Sequence, residues 1–204
     1  MPVPLLIGID PPHSLKSTIL DLKSVVLDSC GSQNLVAEAP HLTFVGNNFT
    51  DTNSVADVLA QIQFPKIEIM IDGVTYFPPK KMSSKYVVYL NVKRNDALQK
   101  LQQKIVELTS PYHQGCAMCV YLAEHMPNYK YTATETKNAK KYGFPYVGSG
   151  WQPHFTIGEL DKTGFDKIGE TLLKTKVQQK FVLNQFVLFR HQNGWRPYRS
   201  YILR

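Results

Sequence analysis

The pentapeptide PHLTF at residues 40–44 is repeated as PHFTI at residues 153–157. Each copy lies in a stretch of β-branched and aromatic residues between turn signals, so we predict strands at 39–46 and 151–160. Each of these strands follows an earlier strand and a helix. Two similar halves packed about a pseudo-twofold axis would bring the repeated strands together and form a cleft between them.

The alternation of side chains along a strand decides what each copy presents to that cleft. Successive side chains point to opposite faces, so His41 and Thr43 share one face, and so do His154 and Thr156. The apolar residues beside them face the core. With six histidines and thirteen threonines in 204 residues, chance yields about 0.4 His-x-Thr matches, so two matches in equivalent strands are a meaningful signal.

Two imidazoles across a cleft suit phosphodiester chemistry. One can take a proton from an attacking hydroxyl or water while the other protonates the leaving oxygen. The threonine hydroxyls can donate hydrogen bonds to the non-bridging phosphate oxygens. This scheme requires no metal ion and no other cofactor. A formal charge of +7 and a pI near 9.2 favour an anionic substrate.

The composition of the chain argues against several classes of protein. Hydrophobic residues at 43% and charged residues at 19% are globular values, and 204 residues suffice for one domain, which we assign to 1–204. No apolar run approaches the roughly 20 residues of a membrane helix, and the first ten residues do not resemble a signal peptide. Three cysteines argue against a disulfide framework. We therefore predict a cytoplasmic protein that does not associate with membranes.

Hydrophobic periodicity assigns the rest of the chain. Further strands are predicted at residues 4–9, 66–76, 86–92, 181–190 and 198–203, with 66–76 pairing with 86–92 and the last two forming a pair. Helices are predicted at 15–30 after Ser14 as the N-cap, at 55–62, at 95–108 and at 164–174. Residues 112–150 have few periodic signals and many Tyr, Lys and Gly, which predicts an irregular insertion.

HLTF at His41, HFTI at His154, the segment IEIMIDGVTYF at residues 67–77 and the closing strand pair together resemble the 2H phosphoesterase superfamily. Its members are also described as 2′-5′ RNA ligase-like or cyclic phosphodiesterase-like proteins. The resemblance spans nearly the whole chain. It implies an α+β fold with two pseudo-symmetric lobes, each an antiparallel sheet with helices, around a central cleft. It also implies catalytic roles for both histidines, phosphate-binding roles for Thr43 and Thr156, and metal-independent catalysis.

The resulting hypothesis is a phosphodiesterase that cleaves 2′-5′-linked or cyclic nucleotide or RNA phosphodiesters. Its substrate would be a nucleotide such as a 2′,3′-cyclic phosphate, a cyclic dinucleotide signal, or a short RNA such as 2′-5′ oligoadenylate. No obligate protein partner is implied, and the sequence does not assign base and acid between the two histidines. The alternative is a non-catalytic RNA- or nucleotide-binding module. Replacing either histidine by alanine would abolish product formation in an enzyme but only weaken binding in such a module.

Two groups of aromatic residues are candidates for base stacking or for the rim of the cleft. They are Tyr142, Phe144, Tyr146 and Trp151 just before the second motif, and Trp195 and Tyr198 near the end of the chain. Lysines interleave the first group and could steer phosphates toward the cleft. Packing in the core or at a hairpin tip is the alternative explanation for both groups.

A second candidate site has the spacing of zinc ligands. It consists of His113, Cys116, Cys119 and His125. The apolar residues around the two cysteines favour instead a core strand with buried thiols, so we assign no metal. His13 and His191 are interpreted as surface or structural residues.

Overall fold

The computed structural model describes residues 2–33, 35–79, 85–126 and 128–204. This part of the chain forms an α+β fold, with eight strands in two antiparallel sheets and six α-helices. The strands are β1 (Val3–Ile9), β2 (Leu42–Phe49), β3 (Ile67–Phe77), β4 (Tyr86–Val92), β5 (His154–Leu160), β6 (Gln178–Leu183), β7 (Gln185–His191) and β8 (Trp195–Ile202). The helices are α1 (His13–Cys30), α2 (Thr52–Ala60), α3 (Asp96–Thr109), α4 (Ala117–His125), α5 (Ala133–Tyr142) and α6 (Lys162–Lys174).

The two sheets repeat one topology. Their strand orders are β2-β1-β7-β8 and β5-β4-β3-β6, so β2 and β5, the strands of the two repeated motifs, each lie at a sheet edge. The helix α1, between β1 and β2, packs against β5, while α3 and α4, between β4 and β5, pack against β2. The strands β2 and β5 also contact each other. The prediction of two pseudo-symmetric antiparallel lobes is confirmed, and both motifs lie where the lobes meet.

The repeat extends to an irregularity in the strand pairing. The register between β1 and β2 shifts after Thr43 so that Phe44 is skipped, and the register between β4 and β5 skips Ile157 after Thr156. A bulge bends its strand and re-aims the neighbouring side chains. At the first bulge the chains approach so closely that a Cβ on Gly8 would lie 2.0 Å from the Leu42 carbonyl oxygen. Glycine is therefore required at this position.

One buried hydrophobic cluster contains residues of both sheets and of the helices between them. Phe44 and Phe155, which flank the threonines of the two motifs, are both fully buried in it. The carbonyl oxygen of Phe44 accepts a hydrogen bond from Gln102, a fully buried residue of α3. This shared core supports our proposal that residues 1–204 form one domain.

The strand predicted at 181–190 is wrong, because the chain passes from one sheet to the other within it. β6 belongs to the second sheet and ends at Leu183, whereas β7 belongs to the first sheet and begins at Gln185. The single residue between them, Asn184, accepts a backbone hydrogen bond from Leu203. Apolar residues lie on both sides of Asn184, so hydrophobic periodicity did not indicate a boundary between two strands. The asparagine was the only turn signal.

Other differences concern the ends of elements. Ser14 does not cap α1, because the helix begins at His13 and Pro12 occupies the N-cap. α2 begins at Thr52 rather than 55, where the Asp51 side chain accepts a hydrogen bond from the Ser54 amide. The strands β2 and β5 begin at 42 and 154, later than the predicted 39 and 151.

Residues 112–150 are less irregular than predicted, since they contain α4 and α5. The exposed helix α5 buries no side chain, so no hydrophobic periodicity marks it. Its start nevertheless has a capping box, in which Thr132 and Glu135 satisfy each other's backbone amides. Its end has Gly143 in the left-handed conformation. These local signals were readable in the sequence.

Asn47 attaches this helical segment to β2. Its side-chain amide donates to the carbonyl oxygens of Gly115 and Gly143, and its side-chain oxygen accepts from the amide of Ala117. The residue is 3% exposed. The polar side chain therefore joins three separate stretches of the chain through one buried amide group.

Replacing Asn47 by alanine should lower the free energy of unfolding by about 2 to 3 kcal/mol, because it leaves buried backbone groups without hydrogen bonds. Urea denaturation followed by circular dichroism measures the change. The control is Asn48→Ala, since that side chain makes no hydrogen bond to the described residues. The control should change the free energy of unfolding by about 0.5 kcal/mol or less. Equal losses in the two variants would contradict the role given to Asn47.

Within the described ranges, no helix has both the length and the apolar character that a membrane span needs.

Candidate functional site at the junction of the two lobes

His41 and His154 make the same backbone hydrogen bond. Nδ1 of His41 lies 2.8 Å from the carbonyl oxygen of Ala39, and Nδ1 of His154 lies 2.7 Å from that of Gln152. A carbonyl oxygen can only accept, so in each ring Nδ1 carries the proton and donates it. The opposite nitrogen, Nε2, is then unprotonated in the neutral ring and available to accept a proton.

The surroundings of both rings favour the neutral imidazole. Burial lowers the pKa of His154 to about 4, with a further lowering from His41, and the hydrogen bond to Gln152 opposes the shift. Burial also lowers the pKa of His41, opposed by its hydrogen bond to Ala39 and by the charge of Glu38. A histidine poised in this way can act as a base at neutral pH.

Each ring rests on a small apolar cluster separate from the main core. The first cluster consists of Leu6, Val187 and Phe189, and the second of Phe77, Val87 and Tyr89. The ring centroid of His41 lies 5.9 Å from that of Phe189, and the ring of His154 lies 5.2 Å from Phe77 and 5.0 Å from Tyr89. This packing desolvates the imidazoles and fixes their orientation.

A cavity of about 110 Å³ is lined by one residue of each motif. It is lined by Lys23, Leu35, Glu38, Ala39, His41, Thr156 and Trp195. His41 of the first motif and Thr156 of the second therefore line one space, whereas Thr43 and His154 are not among its lining residues. Thr43 is half-buried, and its carbonyl oxygen accepts a hydrogen bond from Nε1 of Trp151.

Sequence reasoning missed Lys23, a lysine on α1 that is 4% exposed. Its ammonium donates to the carbonyl oxygens of Leu35 and Val36, in the loop that leads to His41. Burial lowers its pKa to about 8, partly offset by the charge of Glu38. The sequence did contain a signal of this burial, because Lys23 lies on the same face of the helix as the apolar residues Ile19, Leu22 and Val26.

The aromatic residues proposed for the rim fall into different environments. Phe144 and Trp151 are 4% and 5% exposed and belong to the core, which favours the packing explanation for these two residues. Tyr146 packs against this core, and burial raises the pKa of its phenol well above the usual range. Tyr142 is half-buried, with the Lys141 ammonium over its ring.

The two aromatic residues near the end of the chain remain accessible. Trp195 lines the cavity and packs on the cluster around Phe189. Tyr198 is 46% exposed, and the guanidinium of Arg190 lies 3.7 Å from its ring centroid. Only Trp195 is thus brought beside the two motifs.

The second candidate site does not have the predicted structure. Cys116 and Cys119 form a disulfide at the start of α4, instead of buried thiols in a core strand. His113 forms an isolated β-bridge with Phe49. No cluster of three or more His, Cys, Asp or Glu suited to a metal ion occurs in the described part of the chain.

The sequence matches the family model of the 2′-5′ RNA ligase superfamily over residues 11–195. The fold is similar to Escherichia coli LigT in its apo form, with a TM-score of 0.62, 12% identity and coverage of 99% of this chain and 98% of that chain. It is also similar to LigT complexed with 3′-AMP, with a TM-score of 0.60 and 13% identity, over 100% of this chain and 99% of that chain. TT0787 of Thermus thermophilus also has a similar fold, with a TM-score of 0.59 and 13% identity, over 100% of this chain and 98% of that chain. No curated protein matches the sequence.

Proposed function

Because this chain belongs to the 2′-5′ RNA ligase superfamily, the 2H phosphoesterases, we propose that it is a metal-independent phosphodiesterase acting on 2′-5′-linked or cyclic nucleotide phosphodiesters. The observation that carries the proposal is the cavity shared by His41 and Thr156, one residue from each repeated motif. The matching hydrogen bonds of His41 and His154 support equivalent roles for the two rings.

The proposed reaction moves one proton at each histidine. One Nε2 accepts the proton of the attacking water or ribose hydroxyl, whose oxygen forms a bond to phosphorus. The other ring, protonated beforehand, donates from its Nε2 to the leaving oxygen as that P–O bond breaks. In both rings the Nδ1–H keeps donating its hydrogen bond to the backbone carbonyl oxygen, which stabilises the imidazolium. The hydroxyls of Thr43 and Thr156 donate to the non-bridging oxygens, where negative charge concentrates.

The two histidines exchange roles between directions of the reaction. If a neighbouring ribose hydroxyl attacks, the product is a 2′,3′-cyclic phosphate, and if water attacks, a cyclic phosphate is opened. Both reactions use the same four side chains. The net charge of +7 favours anionic substrates, and LigT, of the same fold, has been crystallised with 3′-AMP. We therefore propose a nucleotide, a cyclic dinucleotide or a short RNA as the substrate.

A product assay tests this function. The protein is incubated with 2′,3′-cyclic nucleotides, 2′-5′ oligoadenylate, cyclic dinucleotides and 3′-5′ RNA, each with excess chelator. We expect turnover of at least one of the first three, unchanged by the chelator. No turnover of any substrate would refute the proposal and favour a nucleotide-binding module. Activity abolished by chelation would refute its metal independence.

The lowered pKa values predict an acidic optimum for kcat/KM. Activity falls as pH drops below the pKa of the base, which must be neutral, and as pH rises above the pKa of the acid, which must be protonated. The pKa of His154 is about 4 and that of His41 is also below 6.5. The bell-shaped profile in the free enzyme should therefore peak below pH 6.5, whichever ring is the base.

Initial rates on a 2′,3′-cyclic nucleotide between pH 3.5 and 8.5, at constant ionic strength, measure this profile. The substrate phosphodiester does not titrate in this range. A maximum above pH 7 would contradict the desolvated environment that we assign to the two rings.

A further inference from the structure

The cavity beside His41 is formed by two segments that come together from distant parts of the sequence. The loop before β2 contributes Glu38, and the turn between β7 and β8 leads into Trp195. Oε2 of Glu38 lies beside this turn, 3.7 Å from the position that a Cβ on Gly194 would occupy. The carboxylate and the indole therefore lie on one side of the space that also contains Thr156.

Glu38 brings an unused hydrogen-bond acceptor to this cavity. Its Oε2 is buried, and none of the described residues donates a hydrogen bond to it. Lys23 lines the same cavity, but it forms no ion pair with Glu38 within 4 Å and directs two hydrogen bonds to backbone carbonyls. A buried carboxylate oxygen that lacks a donor is unfavourable unless a ligand supplies one.

The sign of this charge indicates which part of a nucleotide lies there. A carboxylate repels phosphate, so the phosphate belongs at the histidines and threonines rather than beside Glu38. A carboxylate can only accept hydrogen bonds, so it selects a group rich in N–H donors. Nucleobases carry such donors on their Watson–Crick edges.

Trp195 supplies the second requirement of a base site, a fixed aromatic surface. It packs against the cluster of Leu6, Val187 and Phe189, and its ring makes an edge contact with His191 at 5.1 Å between centroids. An indole held in this way loses little entropy when a base stacks on it. Stacking tolerates every base, so it adds affinity without choosing among them.

We propose that this cavity binds the nucleobase of the substrate and that Glu38 selects guanine. Guanine presents two adjacent donors, N1–H and the 2-amino group, which match the two oxygens of one carboxylate. Adenine and cytosine present a single amino group beside an acceptor, and that acceptor would face the carboxylate. The inference rests on the proposed function in that the substrate is a nucleotide.

The size of the cavity agrees with a base edge. A volume of about 110 Å³ equals about four water molecules at about 30 Å³ each. A space of this size can take the edge of one base. The base edge lies beside Glu38 and Trp195 in this proposal, and the ribose and phosphate lie outside the cavity, on the side of His41 and Thr156.

Titration calorimetry with 3′-GMP, 3′-AMP, 3′-CMP and 3′-UMP tests the inference without any turnover. We expect 3′-GMP to bind the wild-type protein at least tenfold more tightly than the other three. In Glu38→Gln the preference should fall to about twofold or less, because the new side-chain amide opposes a guanine donor. The matched control is Glu170→Gln, an exposed glutamate of α6 that pairs with Lys174, and it should retain the preference.

Trp195→Ala separates stacking from selection. It should weaken all four nucleotides by about tenfold while leaving the ratio of 3′-GMP to 3′-AMP affinity unchanged. Equal affinities in the wild type, or a preference that persists in Glu38→Gln, would overturn the proposal. If the protein hydrolysed all cyclic nucleotides with equal kcat/KM, the guanine site would be refuted but the phosphodiesterase function would be supported. If the protein bound 3′-GMP selectively but hydrolysed no substrate, the guanine site would be supported and the phosphodiesterase function would be refuted.

Discussion

Replacement of His41 or His154 by alanine is expected to lower kcat on the best substrate by about 10²- to 10⁴-fold, the usual contribution of a positioned acid or base. In the proposed mechanism each Nε2 exchanges a proton with a reacting oxygen, so removing either ring removes the acid or the base. Nucleotide binding should change far less than kcat. Initial rates at saturating substrate, with calorimetry of a 3′-mononucleotide, separate the two effects.

The double variant is informative because the proposed mechanism uses the two rings in one step. If they cooperate, removing the second ring should cost much less than removing the first, as in other catalytic groups that act as a unit. His13→Ala is the matched control, since this histidine is exposed at the start of α1 and should retain full activity. Thermal melts check that the alanine variants remain folded. A double variant with activity near that of the wild type would refute both roles.

The sequence predicted the two motif strands because their information is local. Alternation along a strand placed His41 with Thr43 and His154 with Thr156 before any contact was known. The repeat then implied that the strands meet, and β2 does contact β5. The hydrogen bonds from the two histidines to the carbonyl oxygens of Ala39 and Gln152 depend on backbone geometry. Neither composition nor periodicity could predict them.

Other features of the site depend on contacts between distant segments. Lys23 reads as one polar residue on a helix, and its burial follows from the loop that covers it. Glu38 and Trp195 are far apart in sequence and meet only because β7 joins the first sheet after the chain leaves the second. Trp151 is buried because Phe44 of β2 packs against its ring and the Thr43 carbonyl oxygen accepts a hydrogen bond from its Nε1, contacts that its aromatic character alone does not indicate.

Replacing Thr43 or Thr156 by valine should lower kcat by about 10²- to 10³-fold, the usual cost of removing one hydrogen-bond donor to developing negative charge. Valine keeps the shape and branching of threonine and removes only the hydroxyl. The hydrogen bond from Trp151 to residue 43 uses the backbone carbonyl, so the substitution leaves it in place. Rates at saturating substrate measure the loss.

Thr43→Ser and Thr156→Ser are the matched controls, because serine keeps the donor and loses the methyl group. If the hydroxyl stabilises the transition state, each serine variant should keep kcat within about tenfold of the wild type while its valine counterpart does not. Equal losses in serine and valine would assign the effect to packing of the methyl group. Since the two threonines occupy equivalent bulged strands, the pseudo-symmetry requires that both positions show the same ordering of valine and serine. A large effect at only one position would show that the two lobes hold the phosphate unequally.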